Sequence, residues 1–413
     1  MRRLTPPSSR NTALKALQAR ERDLVEFTRE LVATPSPNPP GDERRVAELL
    51  MQAMDRLGYS SVRSLARSSH RPNVIGEIGA GGHILMLNGH IDTKPPGDET
   101  QWETRPYDPV VRDGVLYGLG STDMKAAVAA MVYAGAGLGE LDVLPGVLRI
   151  VLSADEEAGS HFGVRFLVAQ DLRADAVVVT EPTGFERPWE YVAIASRGVS
   201  AFRVKTVGTQ MHSSLSDRVP SVNASVKLAQ VLTHMAEEFR PRYPGPATIK
   251  PTLNLGVTLQ GGVFFGVYPG AAEFGVDVRT VPGMTLEDLQ ADVEGFLERL
   301  QREDPDLQVV AEWVPELSWA PPCSIRFDHP IVEAARWAAR EVLGRDVPPD
   351  TMPAFTDGTH WHLAGIPTIP AFGPGSLLFA HQPNEHVGVP EIVQASRIYA
   401  LMSLRFLEQS GRT

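Results

Sequence analysis

The sequence predicts an α/β fold: a mixed, mostly parallel sheet with helices on its faces, interrupted by an inserted ferredoxin-like α+β domain. Three observations predict it. Apolar strand-like runs at residues 84–87, 147–152, 177–179 and 366–371 alternate with helical stretches, as in a sheet covered by helices. Between about residues 195 and 312 the order becomes β-α-β-β-α-β, that of a split-βαβ unit. The first pattern then resumes, so the small domain reads as an insertion. The expected organisation is residues 1–194 and 313–413 for the larger domain and 195–312 for the inserted one.

Taken in order, residues 1–20 read as a loose leader. The first helix starts near Glu21, where Leu24, Val25, Phe27, Leu31 and Val32 share a face, and it ends before Pro35. A Pro-rich loop over residues 35–41 leads to a second helix over 43–57. Within the insertion, residues 200–207, 253–260, 273–280 and 307–313 read as strands, and 221–240 and 286–302 as helices.

At 413 residues, 43% hydrophobic and 22% charged, the chain can bury a sizeable core. Its formal net charge of −11 argues against nucleic acid as a partner, which needs a concentrated basic face. Cys323 is the sole cysteine, which excludes an intrachain disulfide and a thiolate zinc cluster. Any metal must be held by histidines and carboxylates. Residues 1–10 lack the apolar stretch of a signal peptide, and no window of about 18 apolar residues exists. No membrane contact and a cytoplasmic location are therefore expected.

The polar residues fall in a pattern relative to the strands. Residues 84–87 run into Asn88-Gly89-His90-Ile91-Asp92-Thr93, and residues 147–152 into Asp155-Glu156-Glu157. Residues 177–179 run into Glu181-Pro182-Thr183, and the fourth strand is followed by His381. Ligands of open α/β sheets bind beyond the carboxyl ends of strands. Asp123 adds a fifth group, on Gly118-Leu119-Gly120-Ser121-Thr122-Asp123-Met124-Lys125 ahead of an Ala-rich helix. Singly, each has a plainer explanation: a structural histidine, acids at a helix start, a helix cap at Asp123. Five such coincidences at one sheet edge are much harder to accept than one metal site. His90 and Asp92, two apart in an extended segment, point to one side, so the aspartate can orient the imidazole. Adjacent Glu156 and Glu157 cannot face one point equally, which suits divided roles of ligand and base.

With these segments and Ala380–Glu385 in series, the chain resembles the acetylornithine deacetylase, succinyl-diaminopimelate desuccinylase and carboxypeptidase G family of co-catalytic zinc metallopeptidases. The resemblance spans about residues 20–408. It implies that His90 and Glu181 bind one metal, Glu157 and His381 the other, and Asp123 both. It implies that Asp92 orients His90 and that Glu156 is the general base toward a water between the metals. It also makes Asp123–Met124 a candidate cis peptide. The implied cofactor is two divalent ions, zinc first, with cobalt or manganese as alternatives. Three ligand carboxylates, two neutral imidazoles, two dications and one hydroxide make a neutral cluster.

In the insertion, His212 matches a histidine that stabilises the oxyanion, often across a dimer, and Arg279 an arginine that binds a substrate carboxylate. Arg197 is a further candidate of that kind. The resemblance implies that the insertion is a dimerisation domain and the protein a homodimer. The departures are Leu119 for an arginine, Gly266 for an asparagine, and Phe355 in a loop that relatives make Gly-rich. All fall on substrate recognition. His360 and His362 read as a pocket lining or surface pair before a third metal site. The implied activity is hydrolysis of an N-acyl amino acid. The alternatives are an exopeptidase for dipeptides or acyl-glutamates, and a catalytically silent binding protein of the same fold.

Overall fold

The strand and helix rhythm resolves, in a computed structural model that describes residues 7–245 and 249–410, into two units. One comprises Met1–Ser196, Cys323–Met352 and Thr356–Thr413; the other comprises Arg197–Pro322 and Pro353–Phe355.

The spine of the first unit is the long strand Pro72–His90, whose two arms flank Pro145–Ser153. Along the first arm the register falls, with Val74 opposite Leu152 and Gly79 opposite Val147. Along the second it rises, with Ile84 opposite Val147 and His90 opposite Ser153. Ala176–Val179 pairs in parallel with the second arm, and Thr368–Ile369 in parallel with Ala176–Val179. Ser61–Ala66 lies antiparallel on the outside of the first arm. The sheet is mixed, as expected. The first arm was not anticipated, because glycines dilute its apolar pattern. Val74, Ile75 and Ile78 are buried, but Gly76 between them lies against a helix: a β-carbon there would sit 2.6 Å from Met54 Sδ.

Helix Ala126–Gly139 is buried from Ala126 to Leu138. An all-round apolar helix belongs in a core, and its small residues let neighbours come close. A β-carbon on Gly137 would lie 2.8 Å from Leu17 Cγ. Leu17 belongs to helix Pro7–Ala19, which corrects the reading of residues 1–20 as a loose leader; residues 1–6 lie outside the described residues. Ala13 and Leu17, four apart, are buried, and that spacing forms the seam. Glu21–Val32, Arg44–Arg56, Pro330–Leu343 and Val389–Ser410 complete the larger helices of this unit. Among the described residues no helix is long and apolar enough to cross a membrane.

The second unit is a four-stranded antiparallel sheet in the order Thr252–Gly261, Ala271–Thr280, Gly198–Val207, Gln308–Trp313. Numbered within the unit this is 2-3-1-4, the ferredoxin-like order. Helices Ala224–Glu238 and Leu286–Glu303 pack on it through Leu228, Met235, Val293 and Leu297, against Phe202, Val204, Phe274 and Val276. Asn223 and Thr285 cap the two helices, accepting from Val226 N and Asp288 N. Val314 N donates to Ala201 O and Ala320 pairs with Val199, so the chain stays in this unit until Pro322.

Candidate metal centre

Strand ends of the first unit deliver the polar residues to one place. His90 closes its strand opposite Ser153, the last residue of Pro145–Ser153; Asp155, Glu156 and Glu157 follow just beyond. Glu181 follows Val179 by two residues, and Pro182–Gly184 then pairs in parallel with Gly373–Ser376, from which the chain leads to His381. Asp123 stands on the turn Ser121–Lys125 that enters the buried helix, and its bond to Met124 is cis.

His90 Nε2 lies 2.9 Å from Asp123 Oδ1 and 3.5 Å from Glu181 Oε1. His381 Nε2 lies 3.2 Å from Asp123 Oδ2 and 3.0 Å from Glu157 Oε1. Asp123 thus offers one oxygen to each imidazole. Ligand atoms of His90, Asp123 and Glu157 fall within 4.8 Å of one another, as do those of His90, Glu156 and Glu181. Asp92 is fully buried. Its backbone carbonyl meets His90 Nδ1 at 3.0 Å, whereas its carboxylate stands 3.5 Å away. That carboxylate also accepts Glu156 N and Glu157 N, each at 3.2 Å.

The crowding shows in the protonation of the groups. Burial, then the charges of Glu181, Asp357 and Glu157, hold the Glu156 carboxyl well above its usual range, with His90 opposing. Burial and the Asp123 charge do the same to Glu181. Burial opposes charge on both imidazoles, but hydrogen bonds to Asp123 and Asp92 raise His90, and bonds to Asp123 and Glu157 push His381 up to about 10. Four carboxyls crowded against two imidazoles, of which His90 is buried and His381 exposed, call for positive charge. Oxygen and imidazole donors without a thiol suit zinc, cobalt or manganese, so the residues fit a divalent pair.

Several neighbours escaped sequence reading. Lys94 Nζ lies 3.1 Å from Glu157 Oε2 and also bonds the Glu157 carbonyl. Lys125 is fully buried and donates to Leu31 O at 3.0 Å and Thr34 O at 2.7 Å, tying the Asp123 turn to the end of helix Glu21–Val32. Asp357 accepts Ser153 Oγ at 3.0 Å and also Ser160 Oγ, gripping both ends of the Glu156 loop. Glu385 Oε1 accepts Thr122 N at 2.9 Å and Asp123 N at 3.0 Å. Glu385→Ala would leave two buried N–H groups without an acceptor, at about 1–3 kcal/mol each. A lower melting temperature is expected, largely restored in Glu385→Gln, which keeps an acceptor oxygen; thermal melts of both variants check it.

The candidate residues His212, Arg279 and Arg197 lie in the second unit. His212 is exposed, and its Nδ1 accepts from Ser214 N at 3.3 Å and meets Ser214 Oγ at 2.8 Å. Arg279 is engaged by Asp277, with Nε 3.0 Å from Oδ1 and Nη2 3.1 Å from Oδ2. Arg197 donates to Lys250 O at 3.1 Å, and burial and the Arg279 charge lower its pKa. Leu119 is buried and lines, with His381 and Trp102, a cavity of about 130 Å³. Among the described residues, neither His360 nor His362 joins a group able to hold a metal.

The model of peptidase family M20/M25/M40 matches residues 86–405. The acetylornithine deacetylase of Proteus mirabilis is 30% identical over 378 residues, covering 88% of this chain and 91% of its own. That of Photorhabdus laumondii is 28% identical over 387 residues, covering 91% and 94%. Human carnosine dipeptidase 1 shares the fold with a TM-score of 0.71 at 19% identity, over 98% of this chain and 100% of that one. Aminopeptidase PepT from Bacillus cereus gives 0.74 at 20% identity, over 94% and 98%.

Proposed function

The chain belongs to peptidase family M20/M25/M40, metal-dependent hydrolases of amide and peptide bonds, and on that premise we propose that it cleaves a small N-acyl amino acid with Glu156 as general base. The carrying observation is Asp123, whose two oxygens each face a different histidine. His90 and Glu181 would hold one divalent ion, Glu157 and His381 the other, and Asp123 both. Bound there, the ions would supply a Lewis acid and lower the pKa of a water molecule. Zinc is the proposed metal, on the mixed imidazole and carboxylate donors.

Glu156 takes a proton from water as the water oxygen bonds to the acyl carbon. It returns that proton to the nitrogen as the carbon–nitrogen bond breaks, giving a carboxylic acid and a free amine. Asp92 fixes the backbone of both glutamates and the tautomer of His90. His212 stabilises the oxyanion, and Arg279 and Arg197 receive the substrate carboxylate. The relatives named acetylornithine deacetylase favour an acyl amino acid over a dipeptide. A homodimer forms through the edge strand Thr252–Gly261, where Val257 and Leu259 are exposed. A cytoplasmic location completes the proposal.

The test is a panel of N-acetyl and N-succinyl amino acids and dipeptides with zinc-, cobalt- or manganese-reconstituted protein, read by release of free amine. Turnover of the acyl amino acids is expected. Preference for dipeptides would move the function to exopeptidase, and no turnover across the panel would support a silent binding protein.

A further inference from the structure

Behind the metal centre runs a buried ionic chain of which the proposed reaction uses only Asp92. Its members, Asn38, Glu43, Arg71, Asp92 and Asp155, are all at most 7% exposed. Arg71 Nε lies 2.8 Å from Glu43 Oε2, and Arg71 Nη2 donates to Asp155 Oδ1 at 2.7 Å. Asn38 Nδ2 donates both to Asp155 Oδ1 at 3.0 Å and to Asp92 Oδ2 at 2.8 Å. The chain ends where the two Asp92 oxygens accept Glu156 N and Glu157 N.

Asp155 directly precedes the paired glutamates and has a φ of 67°, in the sparsely populated left-handed region. What holds it is Arg71 and Asn38 on one oxygen and Phe162 N, at 3.1 Å, on the other. The Pro-rich loop that carries Asn38 is itself fastened to the metal-site strand end. Ser36 Oγ donates to Ile91 O at 2.7 Å, and Asn38 N donates to Thr93 O at 2.8 Å. Gly41, with a φ of 79°, passes so close under Arg71 that a β-carbon would lie 1.9 Å from Nη1. A buried ion network of this kind adds little stability over an apolar packing of the same volume. What it adds here is direction, because the bonds of Arg71 and Asn38 to Asp155, and of Asn38 to Asp92, end on the glutamate loop or on the residue that holds it, while Glu43 anchors Arg71 from the other side.

We propose that Asn38 and Arg71 are positioning residues of the hydrolytic site, fixing from behind the backbone of Glu156 and Glu157 and hence the aim of both carboxylates. The proposal rests on the assignment of those glutamates to the metal centre. Outer partners of metal ligands typically contribute about 10–100-fold in metal affinity or activity. The experiment compares full-length wild type, Asn38→Ala and Arg71→Lys. Metal-free protein is titrated with zinc against a chelating dye, and kcat and KM are measured separately on the best substrate found. Zinc affinity and kcat are each expected to fall about 10–100-fold in Asn38→Ala, with KM changed less than about threefold. Arg71→Lys keeps the charge but not the fork, so it is expected to fall in between.

Arg149→Met, which breaks a half-buried pair with Glu77 in the same sheet, is the control; it lowers the melting temperature and leaves zinc affinity alone. Wild-type zinc affinity and kcat in Asn38→Ala and Arg71→Lys, whatever their melting temperatures, would overturn the proposal. So would a loss confined to KM. If wild type takes up zinc but hydrolyses nothing, the proposed function fails while the dye titration still decides this point. Should Arg71→Lys not fold, Asn38→Ala decides alone.

Discussion

Glu156→Ala is expected to retain bound metal and to lose about 10²–10⁴-fold in kcat, the usual worth of a general base. Two features of the site favour that outcome. Among the described residues Glu156 makes no ion pair, whereas Glu157 is held by His381 and Lys94. Burial and neighbouring acids also raise its proton affinity, as suits a group that must take a proton and give it back. The environment offers a competing role as well, because Glu156 stands within ligand distance of His90 and Glu181. Metal content per protomer, measured beside the kinetics, separates the two. Lost metal in Glu156→Ala would make it a ligand, and unchanged turnover would place the base elsewhere. Glu156→Gln preserves volume and tests the same step without opening a cavity.

The metal cluster was legible because its members sit at punctuation in the chain. His90, Glu157 and Glu181 each lie at or within four residues of a strand end, and Asp123 opens a buried helix. Asn38, Arg71 and Asp155 were not legible, because their partners lie 54, 84 and 117 residues away. Nothing local marks Arg71 as the cation for a distant aspartate. Residues 35–41 were read for their prolines, which predict a loop but not which side chain it presents. Helix Pro7–Ala19 was missed for a related reason: Pro6-Pro7-Ser8-Ser9 dominates the composition, while the Ala13 and Leu17 seam is only two residues wide. Arg279 shows a signal that was present and not drawn. Residues two apart on a strand share a face, so the pairing of Arg279 with Asp277 follows from their spacing.

Removing the metal is expected to abolish activity and lower the melting temperature, by an amount that grows between about pH 5.5 and 7. Metal binds the folded site alone, so it stabilises by about 2.7–4.1 kcal/mol at free concentrations 100–1,000 times Kd. Binding displaces protons from the carboxyls and imidazoles, so the metal-loaded protein gains as pH rises. The metal-free protein moves the other way. Burial and the Asp123 charge push Glu385 up to about 8, and burial pushes Glu43 up to about 7. Burial also raises Asp357 to about 6. A carboxyl whose folded pKa lies above its unfolded value near 4.5 stabilises the fold fully below that value. The contribution is lost as pH rises through the folded pKa. His381, raised to about 10, has the same sign, and its loss begins above about 6.5. Lys125 opposes, since burial lowers it to about 7, but it acts only above that pH. Thermal melts with zinc or with chelator at pH 5.5 and 7 check both parts. A chelator that leaves the melting temperature unmoved would count against a structured metal centre. A gap that narrows toward pH 7 would show that the buried acids are already ionised without metal.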